Sequence, residues 1–126
     1  MSFSNYLENK VLGHVFGATP YTAPSTLYVG LFTSDPGEGG GGTEVSGGSY
    51  ARQTIAFTVT DNQASNTAAA EFPTATASWG TVTYAAIFDA STSGNMLAYG
   101  ALTTSKTIAS GDVLRIPAGD FDINLD

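Results

Sequence analysis

Cysteine is absent from all 126 residues, which excludes disulfides, thiolate nucleophiles and cysteine-ligated metals. The fold therefore depends on its own core or on an oligomer. Charge is scarce as well: Asp, Glu, Lys and Arg make up only 12%, about half the usual share. Positive charge is scarcer still, with 4 basic residues against 11 acidic ones and a net charge of −7. Lys10, Arg52, Lys106 and Arg115 stand singly. A nucleic-acid site needs a clustered basic footprint, so no nucleic-acid partner is expected. Histidine occurs once, at His14, and a zinc site needs three or four N or S ligands. No run approaches the roughly 18 apolar residues of a membrane span, so no membrane insertion is expected. The first residues, Met1 to Glu8, lack a basic stretch followed by an apolar one. A signal peptide is therefore not expected, and synthesis in the cytoplasm is.

What is present is a folded chain. Hydrophobic residues reach 42%, too many for a disordered segment, and the length suits one domain with a single core. With so few charges, the surface must be covered by Thr, Ser, Asn, Gly and Ala. Small neutral residues cost little to desolvate, and such a surface points to contacts with other subunits.

Residues 1–17 carry the helical pattern. Phe3, Leu7, Val11 and Val15 recur every four residues, and Tyr6, Leu12 and Phe16 widen the stripe. Asn5 and Glu8 have capping-box spacing, Ser2 or Ser4 is the alternative cap, and Gly17 occupies the expected left-handed end. Residues 18–25, with Pro20 and Pro24, read as an extended connector. Residues 26–126 then change to strand patterns. Leu27-Tyr28-Val29-Gly30-Leu31-Phe32 is apolar on both faces, as in a central strand. A flexible loop follows through Gly39 to Gly42. Arg52 to Thr60 alternates, and Ala64 to Phe72 is a weaker strand. Thr81 to Phe88 and Met96 to Leu102 flank a hairpin loop at Asp89–Asn95. Short strands follow at Lys106 to Ala109 and Val113 to Ile116. At the C-terminal end, Phe121, Ile123 and Leu125 alternate with Asp120, Asp122, Asn124 and Asp126. Seven to eight short strands spaced about ten residues apart predict an all-β, single-domain β-sandwich or jelly roll with one N-terminal α-helix.

Little of this carries chemistry. No serine stands in a nucleophile-elbow context that His14 would serve. The alternation from Asp120 to Asp126 lacks the glycine and closing glutamate of a calcium loop, and reads as a strand with one wet face. Gly39 to Gly42 is not followed by the Lys-Ser/Thr of a phosphate loop. No enzyme activity, metal or cofactor is expected. The residues that suit recognition are the aromatics and one arginine. Tyr50 and Arg52 are types enriched at interface hot spots, Glu44 stands ready to pair with Arg52 within or between chains, and Trp79 packs in the core or forms an exposed contact.

Several segments together resemble a family of small proteins of tailed phages. They are Leu27-Tyr28-Val29-Gly30-Leu31-Phe32-Thr33-Ser34-Asp35-Pro36, Thr43 through Gln53, Trp79-Gly80-Thr81-Val82-Thr83, Ile87-Phe88-Asp89-Ala90, Gly100-Ala101-Leu102 and Ile116-Pro117-Ala118-Gly119-Asp120. The family is usually labelled phage tail fibre or phage structural protein. The resemblance implies a virion component that works by association. On this reading the chain is a homo-oligomer, a trimer by preference, on the tail as a fibre, tip or baseplate part, in contact with other virion proteins. A capsid decoration or head spike is the alternative within that class. A module binding a host receptor or surface glycan is the alternative outside it, with Trp79 as its test residue.

Overall fold

The computed structural model describes residues 1–125; Asp126, the end of the acidic alternation, lies outside the described residues. The chain is mostly β, with 39% strand and 10% helix, and its sheets are antiparallel.

The first departure from the sequence pattern is at the start. Ser2–Phe3 is a strand, β1, so the helix α1 is confined to Asn5–Phe16. Ser4 decides the switch. It is buried, its hydroxyl donates to the Met96 carbonyl and accepts from the Leu7 amide, and its own amide donates to the Leu97 carbonyl at 2.8 Å. One residue thus caps the helix and fastens it to the neighbouring strand, and Phe3 belongs to that ladder instead of to the helical stripe. The other end differs too. Gly17 has φ −105° and is not left-handed; Ala18, at φ 53°, makes the turn.

The main sheet is built from β1, β2 (Leu27–Phe32), β3 (Gln53–Ile55), β7 (Gly80–Phe88) and β8 (Met96–Ile108), in the order β1-β8-β7-β2-β3. Strand β2 is interior, between β7 and β3, as its unbroken apolar run predicts. Val29 and Leu31 face the main core with Ala85 and Ile87, while Phe32 joins Ala86, Phe88 and Met96 in a smaller cluster on the opposite face. The two strands expected at 96–102 and 106–109 are a single one. Between the pairs Tyr84↔Ala101 and Val82↔Lys106 the register jumps, so Leu102 to Ser105 bulge from β8 opposite Thr83.

The alternating run from Arg52 to Thr60 is split at Ala56. Its first half, β3, stays in the main sheet. Its second half, β4 (Phe57–Thr60), leaves to form a three-stranded sheet with β5 (Gln63–Asn66) and β10 (Asp122–Asn124), in the order β10-β5-β4. A strand that changes sheets at a bend is a common way to turn a corner. The expected strand at 64–72 divides likewise, giving β5 and β6 (Ala70–Glu71), which pairs with β9 (Arg115–Ile116). With β1 added, two expected strands split and those at 96–102 and 106–109 joined, the described residues hold ten strands against the seven or eight expected. The main core draws on all three sheets: Leu31 and Ile87 from the first, Ala70 and Ile116 from the two-stranded one, and Phe57 and Ile123 packed against it from the third.

Asn66 ties the small sheet to the rest. Its side chain is buried; Nδ2 donates to the carbonyls of Ala68 and Pro117, and Oδ1 accepts from the Phe121 amide. Removing it leaves the buried Phe121 amide without its acceptor and takes a donor from the Ala68 and Pro117 carbonyls, at about 2 kcal/mol. Asn66→Asp is expected to destabilise as much as Asn66→Ala, because two carbonyl oxygens would then face an acceptor. Urea unfolding of the two variants checks this.

Candidate functional site

The sequence candidates Glu44, Tyr50 and Arg52 meet over the middle of β2. An antiparallel bridge between Phe32 and Glu44 brings the loop onto the sheet, and the Val45 amide donates to the Leu31 carbonyl. From there the Glu44 carboxylate lies across Gly30. A Cβ at Gly30 would stand 2.8 Å from Glu44 Oε2 and 3.2 Å from the Tyr50 hydroxyl. Glycine is required here by close approach and not by a turn.

Two side chains close on that carboxylate. Tyr50 donates its hydroxyl to Oε2 at 2.7 Å and accepts from the Leu31 amide at 2.9 Å. Arg52 grips both oxygens, Nε to Oε2 and Nη2 to Oε1, each at 2.9 Å. Its remaining nitrogen, Nη1, donates to the carbonyls of Ala90 and Ser93, and the guanidinium sits 3.5 Å from the centroid of the Phe88 ring. Only 8% of the Arg52 side chain and 26% of that of Glu44 remain exposed. A bidentate, ring-stacked arginine of this kind cannot be replaced by lysine without loss.

The electrostatics follow from the packing. Burial pushes the Glu44 carboxyl up, but hydrogen bonds from Arg52 and Tyr50 and the Arg52 charge outweigh it, so its pKa lies below the ordinary carboxylate value. For Tyr50, burial and its donated bond to Glu44 push the phenol well above its ordinary value.

Trp79 completes the arrangement from the other side. It is 4% exposed, its indole N–H donates to the Gly48 carbonyl at 2.9 Å, and its ring meets Tyr50 edge-on at 5.5 Å. Tyr50 in turn stacks on Phe72. This is the core alternative for Trp79, which leaves almost no surface for a glycan. The glutamate–arginine pair is the intrachain alternative of the two open at the sequence level. Together the four residues hold the 44–52 loop and the Asp89–Asn95 loop on the sheet.

No group of His, Cys, Asp and Glu suited to a metal occurs among the described residues. The surface that the sequence pattern hid is on α1. Its inner residues Tyr6, Leu7 and Val11 are half-buried, whereas Leu12, Val15 and Phe16 are exposed, Phe16 by 82%. They stand at i, i+3 and i+4, so they share one face of the last turns.

The sequence model of the family described as Podophage GP4 fiber I protein gp80 matches residues 2–124. The chain belongs to this family. Among curated proteins, none matches it. Membership in a podophage fibre family makes the chain a virion structural component, as the phage resemblance implies, and no helix among the described residues is long and apolar enough to cross a membrane.

Replacing Glu44 by Gln leaves a buried guanidinium without its anion, which is expected to cost about 3 kcal/mol; Gly30→Ala should also destabilise, by forcing the carboxylate off the sheet. The sign of the pH effect is fixed by the shifts. A depressed Glu44 pKa stabilises the fold above the unfolded carboxylate value, and that contribution disappears as pH falls through the folded one. A raised Tyr50 pKa stabilises below about pH 10, and its contribution fades at higher pH. Urea midpoints across pH should therefore fall at both ends. Glu44→Gln should flatten the acid limb and Tyr50→Phe the alkaline one.

Proposed function

We propose that the chain is a homo-oligomeric fibre subunit of the podophage tail, acting through association and not catalysis. The observation that carries this is the exposed face of Leu12, Val15 and Phe16 on α1. The apolar stripe of α1 runs on past the point where it meets its own chain, and an apolar stripe left open in this way belongs against another surface. The patch is on the order of 300–400 Å², within the size that marks an interaction site on a monomer. Copies gathered around α1, in our reading three about one axis, would cover it. The subunit itself we read as a single-domain β-sandwich, which the core shared by the sheets supports.

The head location and the glycan-binding module have less support. The glycan reading needs exposed aromatics, and Trp79 and Tyr50 are engaged within the chain. Sedimentation equilibrium of the purified chain should give an oligomer that Phe16→Asp dissociates without loss of β-structure by circular dichroism. A wild-type chain that stays monomeric would sink the proposal. Immunogold labelling of particles should place the protein on the tail; label over the head alone would favour a decoration protein.

A further inference from the structure

Exposed sheet edges invite pairing, and folded proteins protect them with charge, proline, bulges or shortness. Most edges here follow that rule. Strands β1, β6 and β9 have two residues each, and the last two carry Glu71 and Arg115. Strand β3 has three residues. In β10, Asp122 lies on the edge strand and its carbonyl accepts from the Met1 amine at 3.0 Å. Past its pairing with β1, the open side of β8 bulges and carries Lys106.

Strand β4 is the exception. From Gln53 to Thr60 the sequence holds no charge and no proline, and β4 pairs with β5 alone. Val59 on it is 72% exposed. The register tells which backbone groups are free. Thr60 and Gln63 flank a two-residue turn, so they exchange both hydrogen bonds, and the Thr67 amide donates to Ala56 in the same phase. The N–H and C=O of Phe57 and Val59 therefore point to the open side.

We infer that this edge pairs with β4 of a second copy, antiparallel across a twofold axis near Thr58. The inference rests on the homo-oligomer reading above and adds a surface distinct from α1. Three observations select a second copy in this orientation. The chain carries a net charge of −7, so two copies repel except along a neutral stripe, and Gln53–Thr60 is such a stripe. The nearest charge beyond the edge is Asp61, in the turn; antiparallel pairing sends the two Asp61 residues to opposite ends, whereas parallel pairing would set them side by side. Of the registers that backbone phase permits, the one engaging both free residues of each edge places Val59 opposite Phe57 twice and Thr58 opposite Thr58. Aromatic with β-branched and threonine with threonine are favourable cross-strand pairs. The result is a six-stranded sheet running through both copies. Three paired β4 residues a side fall short of the roughly 800 Å² per partner of a standard interface, so the contact adds to the α1 assembly and joins rings in pairs.

The absence of native cysteine allows a direct test. Thr58 would face its symmetry mate as a non-hydrogen-bonded pair, with Cα atoms about 4.5 Å apart, within disulfide reach. Under mild oxidation Thr58→Cys should give a covalent dimer, and Ser110→Cys, in an exposed loop, should not. Adding Val59→Lys should abolish the cross-link, with circular dichroism unchanged. In the wild-type background Val59→Lys should halve the mass measured by sedimentation. A Thr58→Cys yield no greater than that of Ser110→Cys, in a chain that still sediments as a Phe16-dependent oligomer, overturns the strand pairing and leaves the fibre-subunit reading intact. A wild-type chain that is monomeric throughout overturns both.

Discussion

The Arg52 guanidinium is the point on which the rest of the structure depends. A cation with 8% of its side chain exposed is tolerable only if its charge and its donors are met, and here each nitrogen has a partner. Glu44 takes the charge, while the carbonyls of Ala90 and Ser93 take the remaining nitrogen. Meeting those demands fixes other features. Glu44 must lie flat on β2, so position 30 has no side chain. Tyr50 must reach over the sheet to complete the carboxylate, so its ring is set against Phe72 and Trp79. The hairpin loop between β7 and β8 is drawn in by its carbonyls. In a chain without cysteine, this network does what a covalent staple does in other small domains, holding two long loops to one sheet.

The same economy of charge shapes the outside. Arg52 with Glu44 is the only ion pair among the described residues, and with 12% charged residues and few of them basic the surface has little with which to specify a partner through salt bridges. What it has are neutral stripes and one apolar helix face. Salt screens the repulsion between copies of net charge −7, so the association we propose should hold or strengthen as ionic strength rises. The division of labour is then simple. The polar network is internal and serves the fold, while the contacts we propose with other copies are uncharged and lie at α1 and β4.

Much of the strand pattern was legible in the sequence because apolar runs and period-two alternation survive in β2, β7 and β10. The breaks were not. Ala56 carries no signal that β3 and β4 belong to different sheets, since both halves alternate alike and the corner is set by where Asn66 and the core receive them. The bulge in β8 hides in Leu102-Thr103-Thr104-Ser105, which looks like an ordinary gap between two strands. The helix start was misread because Phe3 fits the helical stripe; only the buried position of Ser4, bonded to β8, assigns it to a strand. At the candidate site, Glu44, Tyr50 and Arg52 were visible by type and proximity in sequence, but not Gly30, whose missing side chain makes room for them. The exposed side of α1 was hidden for a different reason: apolar periodicity marks a face as buried without saying by which chain.

The most direct test of this division is amide hydrogen exchange on the full chain at low and high protein concentration. Concentration should add protection in the last two turns of α1 and along Phe57–Thr60, and leave the 44–52 segment equally protected throughout. Protection that grows with concentration at 44–52, while α1 and β4 exchange at an unchanged rate, would contradict the account.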